Sequence, residues 1–367
     1  MATRALTTPN VLRWAREAAG YAPSSAARKV GVREDILLAA ERGDHFLTLR
    51  QAELAAAAYG RSLALLMSPE PPAELSVDAK YRRLRGAPRP PWSPELIKLE
   101  REIRDQQDTT VDLWAALGES PPWHEAMRRL QLPRLPEATY LAHILGLEPY
   151  ALRSSDPRNI WHSRRAVVRA AEWAGVLVIR CPVPDSGVRG FVLPHADVPA
   201  IYVNSAEDPR AQAFTVMHEF AHLLLDVADE RRDDEERWCD EYAGTVLMPE
   251  PEFAESFGVG QGRSIESIAQ DFGVTPGAAA TRAAQLGLLG WSQARDILGR
   301  SFSGPTAKGG NGNQRKVARL SPTFTDLVLA AADSSAVTLA TASRLLRTKV
   351  EDFAKLRAFA DRELLDR

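Results

Sequence analysis

The segment AFTVMHEFAHLLL, residues 213–225, holds two histidines four positions apart, His218 and His222, with Glu219 directly after the first. Positions i and i+4 lie on one face of an α-helix, so both imidazoles can reach a single zinc ion. Zinc lowers the pKa of a bound water to about 7, and an adjacent carboxylate such as Glu219 can take the proton of that water. The spacing therefore predicts a zinc-binding helix with Glu219 as the catalytic base. Two histidines at the edge of a core, each with a local hydrogen bond, are the alternative.

A catalytic zinc ion needs a third protein ligand and one open position. Two carboxylates follow downstream at helical spacing, Glu236 and Asp240. We predict that Glu236 is the third ligand and that Asp240 accepts a hydrogen bond from the second ring nitrogen of a ligating histidine. Acidic residues crowd this segment, so a solvated acidic surface is the competing interpretation; the neighbours are Asp233, Asp234, Glu235 and Glu241.

Both segments resemble the ImmA/IrrE family of metallopeptidases. That family has a Phe-Thr-x-x-His-Glu-x-x-His-Leu helix, then Glu-x-x-Ala-Asn-x-Phe-Ala and Leu-Met-Pro; this chain has FTVMHEFAHL at 214–223, ERWCDEYA at 236–243 and LMP at 247–249. The resemblance covers roughly residues 155–255. It implies zinc ligation by His218, His222 and Glu236, with Glu219 as the base. Cys239, Asp240 and Tyr242 replace the usual Ala, Asn and Phe; Asp240 keeps an oxygen acceptor, and we interpret Cys239 as a small buried residue.

Apolar periodicity predicts mostly helical segments around one short β region. Runs at 176–179, 191–193 and 200–203 are β-branched or aromatic and are separated by Pro, Gly and Asp, which predicts three strands of a small sheet. Helices are expected at 208–226 and 234–247. The predicted fold is α+β and mostly helical: a helix-turn-helix bundle at 8–67, a linker with connecting helices at 68–154, a zincin-like metallopeptidase domain at 155–255, a helix-turn-helix-like segment at 262–292 and a C-terminal helical region at 315–367.

The N-terminal segment resembles the Xre/Cro-like helix-turn-helix fold, with VLRWAR at 11–16, AARKVGV at 26–32 and ILLAAERG at 36–43. In that fold Gly31 permits the turn into the recognition helix, and such a domain often precedes the peptidase in the ImmA/IrrE family. Contacts from Lys and Arg to phosphate supply most DNA affinity, yet this helix begins Arg33-Glu34-Asp35. Docking to a protein is therefore the alternative role. The candidate DNA contacts are Arg28, Lys29, Arg33 and Arg42.

Charge and cysteine content narrow the class of protein. The 46 Lys and Arg nearly balance the 48 Asp and Glu, so only a local patch could attract nucleic acid. Two distant cysteines exclude a four-cysteine zinc site and suit a reducing compartment. Residues 1–14 lack the pattern of a secretory signal, and no segment approaches the roughly 18 apolar residues of a membrane span. We predict a cytoplasmic protein.

These observations favour a zinc-dependent regulatory endopeptidase. The resemblance implies that its protein substrate is a helix-turn-helix transcriptional repressor, cut in a stress or mobile-element response. The alternative is a DNA-binding transcriptional regulator, or an antitoxin-like protein, that uses the peptidase fold as a sensor or scaffold. The intact set of His218, Glu219, His222 and Glu236 favours the enzyme. DNA at the N-terminal domain is a second expected partner, and a homodimer is expected by analogy with Xre-type domains on palindromic sites.

Overall fold

The computed structural model describes residues 5–72, 93–154, 159–183, 188–257, 263–299 and 312–365, apart from the side chains of residues 149–150, 313–314 and 364–365. Most of these residues are helical and one three-stranded sheet is present, which confirms the mostly helical α+β prediction. The chain forms two compact units, residues 1–102 and 103–367. No helix in the described ranges is long and apolar enough to cross a membrane.

The described residues of the first unit form five short helices, and a sixth begins before the boundary of the unit. The five are α1 (Pro9–Ala18), α2 (Pro23–Val30), α3 (Glu34–Arg42), α4 (Leu49–Tyr59) and α5 (Leu63–Leu66). Gly31 follows α2 with φ +75° and Gly43 follows α3 with φ +89°, left-handed positions that glycine adopts without strain. Helices α2 and α3 thus occupy the segment predicted to be helix-turn-helix, and the Xre/Cro-like assignment stays a prediction. Leu12, Val30, Leu37, Leu47 and Tyr59 lie in the shared core.

A buried ion pair crosses the core of this unit. Arg16 on α1 donates through Nε (2.7 Å) and Nη2 (2.9 Å) to the two carboxylate oxygens of Glu41 on α3. The Arg16 side chain is 7% exposed and that of Glu41 is 3% exposed. A buried charge that loses its partner is strongly destabilising, so this bidentate pair holds α1 against α3.

The second unit holds the sheet and the remaining helices. Residues 73–92, in the predicted linker, lie outside the described ranges. The helices and strands that follow are α6 (Pro94–Ala116), which spans the boundary between the units, α7 (Trp123–Arg129), α8 (Ala138–Ile144), α9 (Pro149–Leu152), α10 (His162–Trp173), β1 (Leu177–Cys181), β2 (Gly190–Leu193), β3 (Ala200–Asn204), α11 (Pro209–Ala228), α12 (Glu235–Leu247), α13 (Glu250–Ser256), α14 (Ile265–Asp271), α15 (Pro276–Gln285), α16 (Trp291–Gly299), α17 (Gly312–Leu320), α18 (Pro322–Asp333), α19 (Leu339–Leu345), a 3-10 turn (Val350–Asp352) and α20 (Phe353–Leu365).

The three predicted strands form a mixed sheet in the order β1-β3-β2, with β1 parallel and β2 antiparallel to β3. Side chains alternate between the two faces. The row Val178, Ile201 and Val192 belongs to the same core as helix α11. On the opposite face the rings of Phe191 and Tyr202 lie 4.8 Å apart. Both faces are therefore covered, as their continuous apolar runs require.

Strand β2 lies at one side of this sheet and pairs with β3 alone among the described strands. The backbone N–H of Asn204 donates to the carbonyl of Arg189 (2.8 Å), just before β2 begins. Hydrogen-bonded and non-hydrogen-bonded pairs alternate along an antiparallel ladder. Gly190 and Val192 consequently direct their backbone N–H and C=O groups away from β3, toward the side on which no described strand pairs with β2, here called the open side.

The predicted helix-turn-helix-like segment at 262–292 shares the core of the second unit. Helices α14 and α15 flank Gly273, whose φ is +61°. Helix α15 is buried around most of its circumference, and Arg282 on it donates to the carbonyl of Met248 (3.1 Å). Little of its second helix is therefore exposed. The core residues contributed here are Ile268, Ala269, Phe272, Val274, Ala279 and Ala283.

The C-terminal helices attach to the sheet through α17 and α18, which contact β1. Glu172 on α10 is 3% exposed and accepts hydrogen bonds from three places. Its Oε1 accepts from the backbone N–H of Val178 (2.8 Å), and its Oε2 accepts from Ser321 Oγ (3.1 Å) and the backbone N–H of Thr323 (3.2 Å). One buried carboxylate thus connects α10, β1 and the start of α18.

Candidate metal centre

Helix α11 presents the paired histidines on one face. Asp208 caps its start, accepting from the backbone N–H of Arg210 (2.8 Å), and Pro209 occupies the first turn. The rest of the helix is anchored by buried residues that include Val216, Phe220 and Leu224. This anchoring fixes the helix backbone that carries His218 and His222 one turn apart on the same face.

Three candidate ligand residues converge between α11 and α12. Nε2 of His218 lies 3.2 Å from Nε2 of His222. Glu236 approaches both, with Oε2 at 3.4 Å from His218 Nε2 and Oε1 at 3.6 Å from His222 Nε2. Zinc–ligand bonds of 2.0–2.1 Å in a tetrahedron place neighbouring ligand atoms about 3.3 Å apart. The two Nε2 atoms are thus at tetrahedral spacing, and one ligand atom from each of the three residues lies within 4.8 Å of the other two, close enough to share a zinc ion.

The other ring nitrogens show that a cation belongs between the imidazoles. Nδ1 of His218 lies 2.8 Å from Oδ1 of Asp240, and Nδ1 of His222 lies 2.6 Å from Oε1 of Glu235. A carboxylate only accepts, so each Nδ1 carries a proton, and each Nε2 turns a lone pair toward the other when it holds neither a metal ion nor a second proton. Two facing lone pairs repel each other unless a positive charge lies between them.

The raised pKa of His218 also shows that the surrounding carboxylates favour positive charge at this ring. Burial lowers this pKa, but hydrogen bonds to Asp240 and Glu236 outweigh burial and raise it to about 9. Cys239, adjacent in sequence to Asp240, behaves differently. It is fully buried, and burial raises the pKa of its thiol well above the usual range, as expected for a small core residue.

Glu219 points to the side of α11 that faces strand β2. It is 4% exposed, and a Cβ built on Gly190 would lie 3.2 Å from its Cγ and 3.0 Å from the carbonyl oxygen of Tyr202. No larger residue at position 190 would allow this approach. Gly190 therefore lets the open side of the sheet come next to the catalytic-base candidate.

Helix α12 contributes its groups from the solvent side of the centre. The side chains of Glu236 and Asp240 are 68% and 58% exposed, whereas that of His222 is 3% exposed. Among the described residues, the imidazoles therefore lie on the buried side of the candidate centre, and the carboxylates of Glu236 and Asp240 lie on its exposed side.

Comparison with known families adds an independent observation. Residues 171–284 match the family model Peptidase M78, described as the IrrE N-terminal-like domain. The match supports a metallopeptidase-family function for this part of the chain. It begins within α10, contains the whole metal centre, and extends through α14 to α15, so the buried helix-turn-helix-like segment falls largely inside it. No curated protein and no solved structure matches the chain.

Two residues beside the candidate centre, Glu235 and Gly190, are not among the site residues predicted from the sequence. Glu235 was grouped with the acidic neighbours of Glu236, although each ligating histidine needs its own acceptor and Asp240 can serve only one. In the sequence pattern, Gly190 indicates only a break between two predicted strands. The need for a second acceptor was a usable signal for Glu235, whereas nothing local distinguishes Gly190 from a turn glycine.

The four candidate DNA contacts lie at the ends of α2 and α3 and are exposed. Arg28 and Lys29 belong to the last turn of α2. Arg33 precedes α3 and contacts Asp35 (2.6 Å), and Arg42 ends α3 and contacts Asp44 (3.0 Å). Two of the four charges are thus partly neutralised by neighbours, which weakens the positive field available for phosphates.

Proposed function

We propose that this chain is a zinc-dependent endopeptidase with His218, His222 and Glu236 as ligands and Glu219 as general base. The observation that carries the proposal is the 3.2 Å approach of the two Nε2 atoms while both Nδ1 atoms face carboxylates. Glu236 lies within 3.6 Å of both Nε2 atoms, at the position that a third ligand must take. The family match independently favours a metallopeptidase.

Zinc, when bound, supplies Lewis acidity, which polarises a carbonyl and lowers the pKa of a water to about 7. The residues of the chain perform the remaining tasks. Asp240 and Glu235 hold the two imidazoles in one tautomer and one orientation. Glu219 accepts the proton of the attacking water and passes it to the amide nitrogen of the departing segment.

The open side of β2 supports binding of an extended peptide. Gly190 and Val192 direct backbone groups toward that side, and Gly190 adjoins Glu219. A substrate strand that pairs there would bring one of its peptide bonds beside the base. Such pairing recognises backbone more than side chains, so selectivity must come from docking elsewhere. We propose a helix-turn-helix repressor, cut at one exposed site in a stress or mobile-element response, as the substrate.

The test is a digest by the zinc-loaded full chain. Candidate repressors are incubated beside unrelated unfolded proteins. The matched control is Glu219→Gln, which removes the charge of the side chain and keeps its shape. Single-site cutting of a repressor by the wild type alone supports the proposal. Indiscriminate cutting of the unfolded proteins contradicts the regulatory role, and equal turnover by Glu219→Gln contradicts the general-base assignment.

The first unit supports a second proposal, DNA binding by α2 and α3 around the Gly31 turn. With few unpaired cations at these helix ends, its affinity should be weak and should fall steeply with salt. A titration of operator DNA at low and physiological salt tests this, with Arg28→Gln beside the wild type. An affinity unaffected by salt would favour a protein-docking or scaffold role instead.

A further inference from the structure

A second cluster of buried charges lies where α10, β1 and α20 meet, and it includes none of the metal-centre residues. Arg180 on β1 donates through Nη2 to Oε2 of Glu363 on α20 (2.8 Å). Arg164 on α10 donates through Nη2 to Oε1 of the same carboxylate (3.4 Å). The three side chains are 4%, 11% and 13% exposed, in the order Arg180, Arg164, Glu363. One carboxylate therefore serves two buried guanidinium groups.

Counted over the described residues, the charges of this cluster do not balance. Arg164 and Arg180 carry two positive charges against the single negative charge of Glu363, and Arg165 adds a third positive charge that acts on both Arg164 and Glu363. Burial, followed by repulsion from Arg180, lowers the pKa of Arg164 to about 9. Buried charges are stable only when they are paired. A second negative charge would therefore bring the cluster closer to neutrality.

The hydrogen bonds of the cluster do not balance either. Nε of Arg164 and Nε of Arg180 are both buried, and neither has an acceptor among the residues that the structure describes. Most buried donors in folded proteins have a partner, so each exception needs an explanation. A carboxylate has only two oxygens, and both are already engaged. An anion with more oxygens could accept from Nη2 and Nε of both arginines.

We propose that Arg164 and Arg180 form a binding site for the phosphate group of a small molecule, and that Glu363 occupies this site as a built-in competitor. The planar guanidinium fork matches phosphate in a bidentate arrangement. A phosphate monoester carries about −1.5 to −2 charge at pH 7 and three free oxygens, which suits two guanidinium groups better than one carboxylate does. Phosphate in the site would replace Glu363 and release α20 from α10 and β1.

The decisive variant is Glu363→Gln, because it removes the competing charge and keeps the shape of the side chain. The matched control is Asp333→Asn. Asp333 on α18 contacts Arg357 on α20 (2.6 Å), so this variant also removes one carboxylate charge and one ion pair that holds α20, while leaving both arginines unchanged. The pair of variants separates loss of a competitor from general loosening of the helix.

Binding is measured calorimetrically on the full chain with inorganic phosphate and, separately, with a nucleoside 5′-monophosphate, at constant ionic strength in chloride. We expect Glu363→Gln to bind phosphate about tenfold more tightly than the wild type, and Asp333→Asn to bind like the wild type. Phosphate should also speed hydrogen exchange in residues 353–365 of the wild type. Tighter binding of the nucleotide would identify an ester as the ligand, and equal binding would identify the phosphate group alone.

Equal phosphate affinity of Glu363→Gln and the wild type, or no binding by either, would overturn the proposal and leave the cluster as a structural ion-pair network. Arg180→Gln should abolish binding. Since it could also unfold β1, the gain of affinity in Glu363→Gln carries the test.

Discussion

Glu235 and its neighbour Glu236 contact the two nitrogens of one imidazole: Oε1 of Glu235 lies 2.6 Å from Nδ1 of His222, and Oε1 of Glu236 lies 3.6 Å from Nε2. The first turn of α12 therefore sets both the orientation of His222 and the third ligand position. A shift of this turn along its axis would disturb two sides of the centre at once.

Glu235→Gln should weaken zinc binding about tenfold, because the amide oxygen still accepts from Nδ1 but no longer adds negative charge behind the imidazole. Glu235→Ala should cost more, up to about a hundredfold, because it also frees the ring. Competition with a chromophoric chelator measures both affinities. Glu241→Gln, which removes a charge from the same helix where it faces Arg237 (3.5 Å), should leave affinity unchanged. A loss as large in Glu241→Gln as in Glu235→Gln would mean that only the total charge of α12 matters.

Gly190→Ala should destabilise the second unit by about 1–3 kcal/mol, because the new methyl group would overlap Thr215 and force β2 away from α11. Turnover should fall further than zinc content, since Glu219 is displaced while the histidines stay in place. Chemical denaturation and zinc stoichiometry are the measurements. In Gly244→Ala, where no atom lies within 4 Å of the added carbon, helix α12 should instead become about 0.5–1 kcal/mol more stable. Equal effects of the two variants would rule out a special role for position 190.

Glu172 should make stability fall as pH rises from about 4.5 to 7. Burial raises its pKa from 4.5 to about 7, against the hydrogen bonds from Thr323, Val178 and Ser321 that lower it. The folded state therefore keeps this proton in a range where the unfolded state loses it. The contribution is fully present below pH 4.5 and is lost at up to about 1.4 kcal/mol per pH unit until the folded carboxyl also ionises.

The test for Glu172 is the difference between wild type and Glu172→Gln in urea unfolding free energy across this range. The difference should change with pH between 4.5 and 7 and be constant above it. A constant difference over the whole range would show that Glu172 does not titrate there.

Breaking the Arg16–Glu41 pair should cost the first unit about 3–5 kcal/mol, because Glu41→Gln leaves a buried guanidinium without its charge partner. Hydrogen exchange at residues 9–59 in the full chain measures this local stability. The control is Asp35→Asn, whose pair with Arg33 is 64% and 77% exposed and should contribute no more than about 1 kcal/mol. Comparable losses in the two variants would contradict the importance of burial here.

Local pattern was sufficient for the elements that carry the centre. Strands predicted at 176–179, 191–193 and 200–203 are observed at Leu177–Cys181, Gly190–Leu193 and Ala200–Asn204. The helix predicted at 208–226 is observed at Pro209–Ala228. Each of these segments has a distinct period and is bounded by Pro, Gly or Asp, so its neighbours in sequence define it.

Long-range relationships had no such local signal. The order β1-β3-β2 depends on how the chain returns over the sheet, and the contact of Arg180 with Glu363 joins residues 183 positions apart. Helix α15 is rich in alanine, and alanine is tolerated on buried and exposed faces alike, so its burial had no periodic signature. Glu235 and Glu236 differ by one position on a helix, and only the location of α11 decides which nitrogen each one meets.

The unequal burial of the three metal-ligand candidates has a kinetic consequence. The two imidazoles are largely buried, whereas the Glu236 carboxylate is exposed. It can leave a bound zinc ion by rotating its own side chain into solvent. Loss of an ion would begin with that detachment, and a chelator could then attack from the same direction without waiting for the protein to unfold. We therefore expect fast exchange of the zinc ion, although the ligand geometry fits the ion well.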